Sequence, residues 1–420
     1  MRAAILGYGK SGQAAEKLLK RMGAEHIDIF DDRNPDYSGI SGYTDIYDHV
    51  AASPGVDLNR IGLHPDNLTS EIELAYKLVP RESKIIAVTG TNGKSTVTHI
   101  TAQILNALGV RAVACGNIGA TFGEAVLENK ADVYVLELSS FQIELLQDFE
   151  ADTVIITNLA PDHLDRYVDY DEYADAKLKL LDFLKEGGKA ILSDSRDLAD
   201  RTSEMKLNKI TIYEGLNKFP VLKGLELDFK EYKADTRHFH LYGRHNLVNL
   251  AFALEAARTV VGFEGDITGI VEGLTGLEHR CEYAGAVNGI RFINDSKGTN
   301  VFSTLACLKG FRPPVTVLLG GRDKNGDFSI LADELNRVAS NVIAFGEARK
   351  IIKGRLRGLL TVDFTTVKTL GEAVRTALHL SEKGDTVILS PACSSFDEFK
   401  NFEERGDYYK ALVRKLGGES

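Results

Sequence analysis

Thr89-Gly90-Thr91-Asn92-Gly93-Lys94-Ser95-Thr96 decides how the chain is read, because of what stands on either side of it. Before it, residues 84–88 form a short apolar run with the length of a buried strand. After it, Val97, Ile100, Ile104 and Leu108 recur on one helical face. A strand that feeds a helix through a turn ending in Gly-Lys-Ser is a phosphate-binding loop. Its glycines let the backbone turn tightly and aim N–H groups at phosphate oxygens, while the helix start adds a dipole of the right sign. Gly90, Thr91, Asn92, Gly93, Lys94, Ser95 and Thr96 are therefore nucleotide-binding candidates, with Ser95 offering a hydroxyl to Mg²⁺. A cation about 4 Å from a phosphate oxygen contributes roughly 4 kcal/mol at an effective dielectric of 20, so Lys94 should outweigh most surface residues. The general form of the loop has glycine where this chain has Val88, so the loop is a variant.

Outward from the loop, short apolar runs alternate with helical-period segments, the pattern of parallel sheets covered by helices. Strands are expected at 3–6, 27–30, 84–88, 134–138, 154–157, 190–192, 291–293, 315–319, 342–345 and 387–389, with extra strands and loops in 208–236 and a helix from near His245. The fold class is α/β. A length of 420 residues predicts two or three domains, and the interruptions near Val79-Pro80-Arg81-Glu82 and Gly276-Leu277 place three, at 1–82, 83–277 and 278–420.

Composition narrows the function classes. A net charge of −10 argues against a nucleic-acid partner, since nonspecific binding needs a basic face. No run approaches the roughly 18 apolar residues of a membrane span, and the N-terminus lacks the apolar core of a signal peptide. The four cysteines lie far apart in sequence without metal-type spacing and read as reduced, mostly buried thiols. A cytoplasmic protein is expected.

Two further groups carry chemistry. Glu137 ends an apolar strand at the carboxyl edge where α/β sheets bind ligands, and suits Mg²⁺; the plainer reading is a solvated strand end. His163 falls in the loop after the next strand, although hard oxygen ligands are more usual for Mg²⁺; its neighbour Asp162 reads equally as a helix cap. Lys177, on a following helix, reads from composition alone as solvated. In the first domain Gly7-x-Gly9-x-x-Gly12 could hold a dinucleotide, with Asp31 or Asp32 on a ribose, which would make the chain a nicotinamide oxidoreductase.

The loop form T-G-T-x-G-K-S resembles that of Mur ligases and folylpolyglutamate synthetases, which join a carboxylate to an amine with ATP. E-L-S-S-F-Q at 137–142, D-H-L-D-R-Y at 162–167, G-R-H-N at 243–246, H-R at 279–280, N-D-S-K-G-T-N at 294–300 and S-P-A-C-S-S-F-D-E-F-K-N-F-E-E-R-G at 390–406 are similar to the D-glutamate-adding Mur ligases. The resemblance spans nearly the whole chain, and the D-N-P-R motif of diaminopimelate or lysine adders is absent. It implies Rossmann-like outer domains around a central P-loop ATPase-type domain. It also implies an amide-forming reaction with ATP as co-substrate, through an acyl phosphate, on UDP-N-acetylmuramoyl-L-alanine and D-glutamate, in a monomer.

The resemblance further implies roles by position. Lys94, Glu137, His163 and Lys177 would be catalytic; Ser95, Glu137, His163 and a carbamylated Lys177 would hold two Mg²⁺ ions. Asn246, Arg280, Asp295 and Lys297 would complete the ATP site, although Asp295 and Lys297 also read as a loop ion pair. Gly9, Lys10, Ser11, Asp32, Arg33, Ser53, Pro54, Gly55, Asn117, Ser139, Gln142 and His163 would meet the UDP-substrate. Thr299, Lys324, Ser395, Phe396 and Phe402 would form the D-glutamate pocket, with core packing the alternative for the two aromatics. Phe396 replaces a leucine and Gly298 an alanine common in the family. A nucleotide-switched binding protein without ligation, or a folate-type ligase, are the competing readings.

Overall fold

The unbroken apolar runs become interior strands of parallel sheets, because only a strand covered on both faces can bury every side chain. The computed structural model describes residues 1–31, 46–58, 66–128, 131–161, 166–237, 239, 241, 244–323 and 326–418. The chain forms two compact units, one of residues 1–238 with 247–274 and the other of 239–246 with 275–420.

The first unit begins with a parallel sheet of β1 (Arg2–Leu6), β2 (His26–Phe30), β3 (His49–Ala52) and β4 (Leu68–Ser70), ordered β2-β1-β3-β4. Its second sheet comprises β5 (Lys84–Thr89), β6 (Ala112–Gly116), β7 (Val133–Glu137), β8 (Ala151–Ile156), β9 (Leu184–Ser193) and β10 (Lys209–Ile212). The order is β10-β9-β8-β5-β7-β6, parallel throughout. One apolar core runs through both sheets, joining Ala3, Ile5 and Leu18 to Phe122, Tyr134 and Leu192. Two buried carboxylates fix that join. Glu71 accepts from the Gly123 N–H, and Glu73 accepts from the N–H groups of Gln147 at 2.7 Å and Phe149 at 3.0 Å. Burial pushes the Glu71 carboxyl up to about 7. A small sheet is formed by β11 (Val221–Lys223), β12 (Glu226–Asp228), β13 (Tyr232–Asp235) and β14 (Gly265–Asp266), and β10 to β13 account for the extra strands expected in 208–236.

In the second unit β15 (Glu282–Val287), β16 (Ile290–Asn294), β17 (Val315–Gly320), β18 (Ala339–Phe345), β19 (Asp363–Thr366) and β20 (Thr386–Leu389) take the order β15-β16-β20-β17-β18-β19. Only β15 is antiparallel to its neighbour. No strand is expected from the sequence at β3, β4, β6, β14, β15 or β19. β4 has three residues, β15 is broken by a register shift between Tyr283 and Gly285, and β19 is a polar edge strand, so these three carry no clean apolar run.

Candidate active site

β5 lies between β7 and β8, and the chain runs out to β6 and β7 on one side before returning to β8 on the other. The carboxyl ends of β5 and β8 therefore border the crevice where a doubly wound sheet binds ligands. Residues 90–93 leave β5 at that point, between Glu137, whose strand pairs Val88 with Glu137, and the segment after β8. Two glycines are required. Gly90 has φ +134°, and a Cβ there would stand 2.1 Å from the Thr157 hydroxyl; Gly93 has φ +84°, and its Cβ would stand 2.5 Å from Asn249 Oδ1. Asn158 braces the turn. Its carbonyl accepts from Thr91 N at 2.9 Å, its Oδ1 accepts from Asn92 N at 2.9 Å, and its Nδ2 donates to Asn92 O at 3.1 Å. The Thr157 hydroxyl donates to Asn92 O at 2.6 Å.

Lys94 folds over the turn, its Nζ donating to Gly90 O at 2.8 Å and Thr91 O at 2.9 Å. Gly93 caps the helix Lys94–Ala107, which buries Ser95 and Thr96 in its first turn. The first turn of a helix carries N–H groups without intrahelical acceptors, so the loop joins a cation to a set of donors suited to phosphate.

Glu137 is 2% exposed. Its Oε1 accepts from Asn117 Nδ2 at 2.9 Å, while Oε2 is buried with no hydrogen-bond partner among the described residues. A buried carboxylate oxygen left unmatched costs about 1–3 kcal/mol or more, and a hard cation would satisfy it. Lys177 corrects the solvated reading: it lies in the helix Tyr170–Leu178, is 2% exposed, and holds its Nζ 4.8 Å from the centre of the Tyr173 ring. The Tyr173 hydroxyl lies 3.2 Å from Thr91 Oγ1, which connects Lys177 to the phosphate loop through one side chain.

The second unit gathers another polar group at the carboxyl ends of β16 and β20. His279 and Cys281 both have positive φ, +62° and +44°, and hold Arg280 between them. The Arg280 Nε is buried without a partner among the described residues. Asp295 accepts from Ser390 Oγ at 2.6 Å and from Cys281 N at 3.2 Å. Burial raises its carboxyl to about 6, against the opposing effects of the Ser390 bond and the Arg280 charge. A Cβ on Gly298 would come within 2.6 Å of Asp295 Oδ2 and 3.0 Å of Ser390 Oγ, so any side chain there would disturb the Asp295–Ser390 bond. Lys297 lies over the Phe402 ring at 5.7 Å, and Thr299 N donates to Lys297 O at 2.8 Å. Ser395 is buried, Phe396 is 56% exposed, and Phe402 begins the helix Phe402–Leu416. Asn246 is buried near the start of the helix Arg244–Val260.

Residues 88–257 match the family model of the Mur ligase middle domain, and residues 279–393 match that of the Mur ligase, glutamate ligase domain. The "UDP-N-acetylmuramoylalanine--D-glutamate ligase" of Caldicellulosiruptor bescii is 33% identical over 98% of this chain and 97% of its own length. The protein of the same name from Geotalea uraniireducens is 36% identical over 88% of this chain and 83% of its own.

The chain belongs to the Mur ligase family.

The MurF ligase of Thermotoga maritima, solved with ADP, shares the fold of this Mur ligase with a TM-score of 0.62 at 15% identity, covering 99% of this chain and 95% of that one. MurC from the same organism gives 0.59 at 18% identity over 99% and 98%.

The N-terminal glycine loop of this Mur ligase is ordered by Gly7, whose φ is +80° and whose carbonyl accepts from Ser53 Oγ at 2.7 Å. That bond joins the Gly9-Lys10-Ser11 turn to the Ser53-Pro54-Gly55 loop. Asp31 accepts from Tyr8 N at 2.7 Å. Arg166 connects the Pro54 carbonyl, at 3.4 Å, to Glu144, at 3.3 Å, and covers the Phe141 ring at 4.3 Å. Ser139 and Gln142 face each other: Ser139 N and Oγ donate to Gln142 Oε1, and Gln142 N donates back to Ser139 Oγ. Asp32, Arg33, Asp162, His163 and Lys324 lie outside the described residues.

Several residues that shape the site escaped the sequence reading. Asn158 and Ser390 follow strands, a position that could have flagged them, whereas nothing local marks Tyr173. Arg405 is fully buried and donates from Nε to Ser296 Oγ at 3.0 Å and from Nη2 to the carbonyls of Ser296 at 2.8 Å and Cys393 at 3.1 Å. It ties the loop carrying Asp295 and Lys297 to the one carrying Ser395.

Proposed function

We propose that this Mur ligase joins the amine of D-glutamate to the L-alanyl carboxylate of UDP-N-acetylmuramoyl-L-alanine, with ATP converted to ADP and phosphate, in peptidoglycan precursor synthesis. The phosphate loop at the sheet's switch point, beside a buried carboxylate with an unmatched oxygen, is the observation that carries the reading. A nicotinamide enzyme would need neither feature. Relatives named for this reaction align over nearly the whole chain.

An unactivated carboxylate is anionic and has no good leaving group. Its attack on the γ-phosphate gives an acyl phosphate, and Lys94 and the N–H groups of the loop offset the charge that develops on the transferred phosphoryl group. The neutral amine of D-glutamate then attacks the acyl carbon, and phosphate departs. We assign Ser95, Glu137, His163 and a carbamylated Lys177 to two Mg²⁺ ions; the unmatched Glu137 oxygen and the buried Lys177 fit such a role. Mg²⁺ there would supply positive charge to the phosphate oxygens. Asn246, Arg280, Asp295 and Lys297 are assigned to the nucleotide. Asn117, Ser139, Gln142 and the Gly9–Ser11, Asp32–Arg33 and Ser53–Gly55 loops are assigned to the UDP-substrate, and Thr299, Lys324, Ser395, Phe396 and Phe402 to D-glutamate. The divisions 1–82, 83–277 and 278–420 are in this reading functional parts of a cytoplasmic monomer.

The test is phosphate release with ATP, Mg²⁺, UDP-N-acetylmuramoyl-L-alanine and a panel of amino acids. Strict dependence on D-glutamate is expected. Release that ignores the amino acid, or prefers another, would remove the assignment.

A further inference from the structure

Cys281 and Cys307 are 26 residues apart in sequence, yet their sulfurs lie 3.0 Å apart. Cys281 is partly exposed, whereas Cys307 is 4% exposed on the helix Val301–Leu308. Asp295 stands against the pair, with Cys281 Sγ 3.8 Å from its Oδ1. The three side chains form the one group among the described residues whose ligand atoms lie close enough together to hold a metal ion.

Two chemistries compete for such a group, and the distances separate them. Two thiolates on one tetrahedral zinc, each with a bond of about 2.3 Å, stand roughly 3.8 Å apart, well beyond the spacing here. Both Asp295 oxygens are also engaged, Oδ2 by Ser390 and Oδ1 by Cys281 N. A disulfide needs neither a third ligand nor a vacant carboxylate, and its bond of about 2.05 Å requires the sulfurs to approach by roughly 1 Å. The turn that would move is strained, because His279 and Cys281 both occupy the left-handed region without being glycine.

We propose that Cys281 and Cys307 form a reversible disulfide on exposure to hydroperoxide, and that this modification lowers ligase activity. The peroxide oxidises the thiol of Cys281, the less buried residue of the pair, to a sulfenic acid and leaves as water or an alcohol. Cys307 sulfur then attacks the Cys281 sulfur, forming the S–S bond and expelling the sulfenic oxygen as water. Overall, two thiols lose two protons and two electrons, and one peroxide is reduced. The disulfide draws residue 281 toward the helix, withdraws the thiol donor from Asp295 and displaces the backbone next to Arg280. The regulatory half rests on the assignment of Arg280 and Asp295 to the nucleotide; the disulfide itself does not.

The full chain is treated with hydrogen peroxide, its remaining thiols are alkylated, and it is digested with trypsin. A cross-linked pair of peptides 281–291 and 298–309 is expected, absent from Cys281→Ser and Cys307→Ser and reversed by dithiothreitol. D-Glutamate-dependent phosphate release should fall about tenfold in the oxidised protein, a typical strength of coupling between sites, and stay unchanged by peroxide in Cys281→Ser. Linear peptides, a sulfinic acid at Cys281, or stoichiometric zinc in the untreated protein would overturn the disulfide. A formed disulfide with undiminished phosphate release would overturn its regulatory effect. If the reduced protein releases no phosphate with D-glutamate, the functional assignment fails, while the peptide map still decides the disulfide.

Discussion

Replacing Ser390 by alanine should move the acidic limb of the activity profile. Asp295 is 5% exposed and titrates near 6, and the Ser390 hydroxyl donates to it at 2.6 Å. A buried hydrogen bond to a charged group contributes about 1.5–3 kcal/mol. At 1.36 kcal/mol per pH unit, its loss raises Asp295 by roughly one to two pH units, to between about 7 and 8. If the anion supports the nucleotide, Ser390→Ala at pH 7 should be slower by roughly two- to tenfold, and the difference should vanish near pH 9 as the carboxyl ionises. Stability follows the same sign. Because the folded carboxyl binds its proton more tightly than the unfolded one, its contribution is intact below about pH 4 and is lost as pH rises through 6. The variant should therefore lose most stability above pH 7 and less at pH 4. Phosphate release from pH 5.5 to 9, with urea unfolding at pH 4 and 8, provides the measurements. An acidic limb that stays put, or an equal loss of rate at every pH, would refute the reasoning.

Lys94→Ala should reduce turnover by roughly a thousandfold, the equivalent of about 4 kcal/mol, while far-UV circular dichroism stays unchanged; near-normal phosphate release would contradict the loop assignment. Lys177→Ala should lose most activity yet still bind the UDP-substrate, as judged by calorimetry, because only the proposed metal site is damaged. Glu71→Gln keeps an acceptor for the Gly123 N–H but removes a carboxyl raised to about 7. The native carboxyl destabilises the fold progressively as pH rises through 7, so the variant should unfold at higher urea than the parent at pH 8.5 and near the same urea at pH 4. A gap that is instead widest at pH 4 would count against the burial argument.

The glycine turn, the strand before it and the apolar stripe after it are set by neighbours a few residues apart, so the sequence alone determined this strand–turn–helix, the α/β class and the carboxyl-edge position of Glu137. Other local signals are present as well: residues 112–115 are the apolar run of β6, and Thr121-x-x-Glu124 and Ser139-x-x-Gln142 have the spacing of capping boxes whose side chains do pair. Short, polar or bulged strands such as β4, β19 and β15 carry too little pattern to be seen before their neighbours supply hydrogen bonds and cover.

Tertiary structure decided the rest. Lys177 looks like any helical lysine until Tyr173 and the surrounding core exclude water from it. Ser390 reaches Asp295 across 95 residues of sequence, and Cys281 meets Cys307 although no spacing rule couples them. Burial and long-range contact set the charge state and reactivity of these groups. Both depend on which strands become neighbours in a sheet, and that follows from packing the whole chain rather than from any window of it.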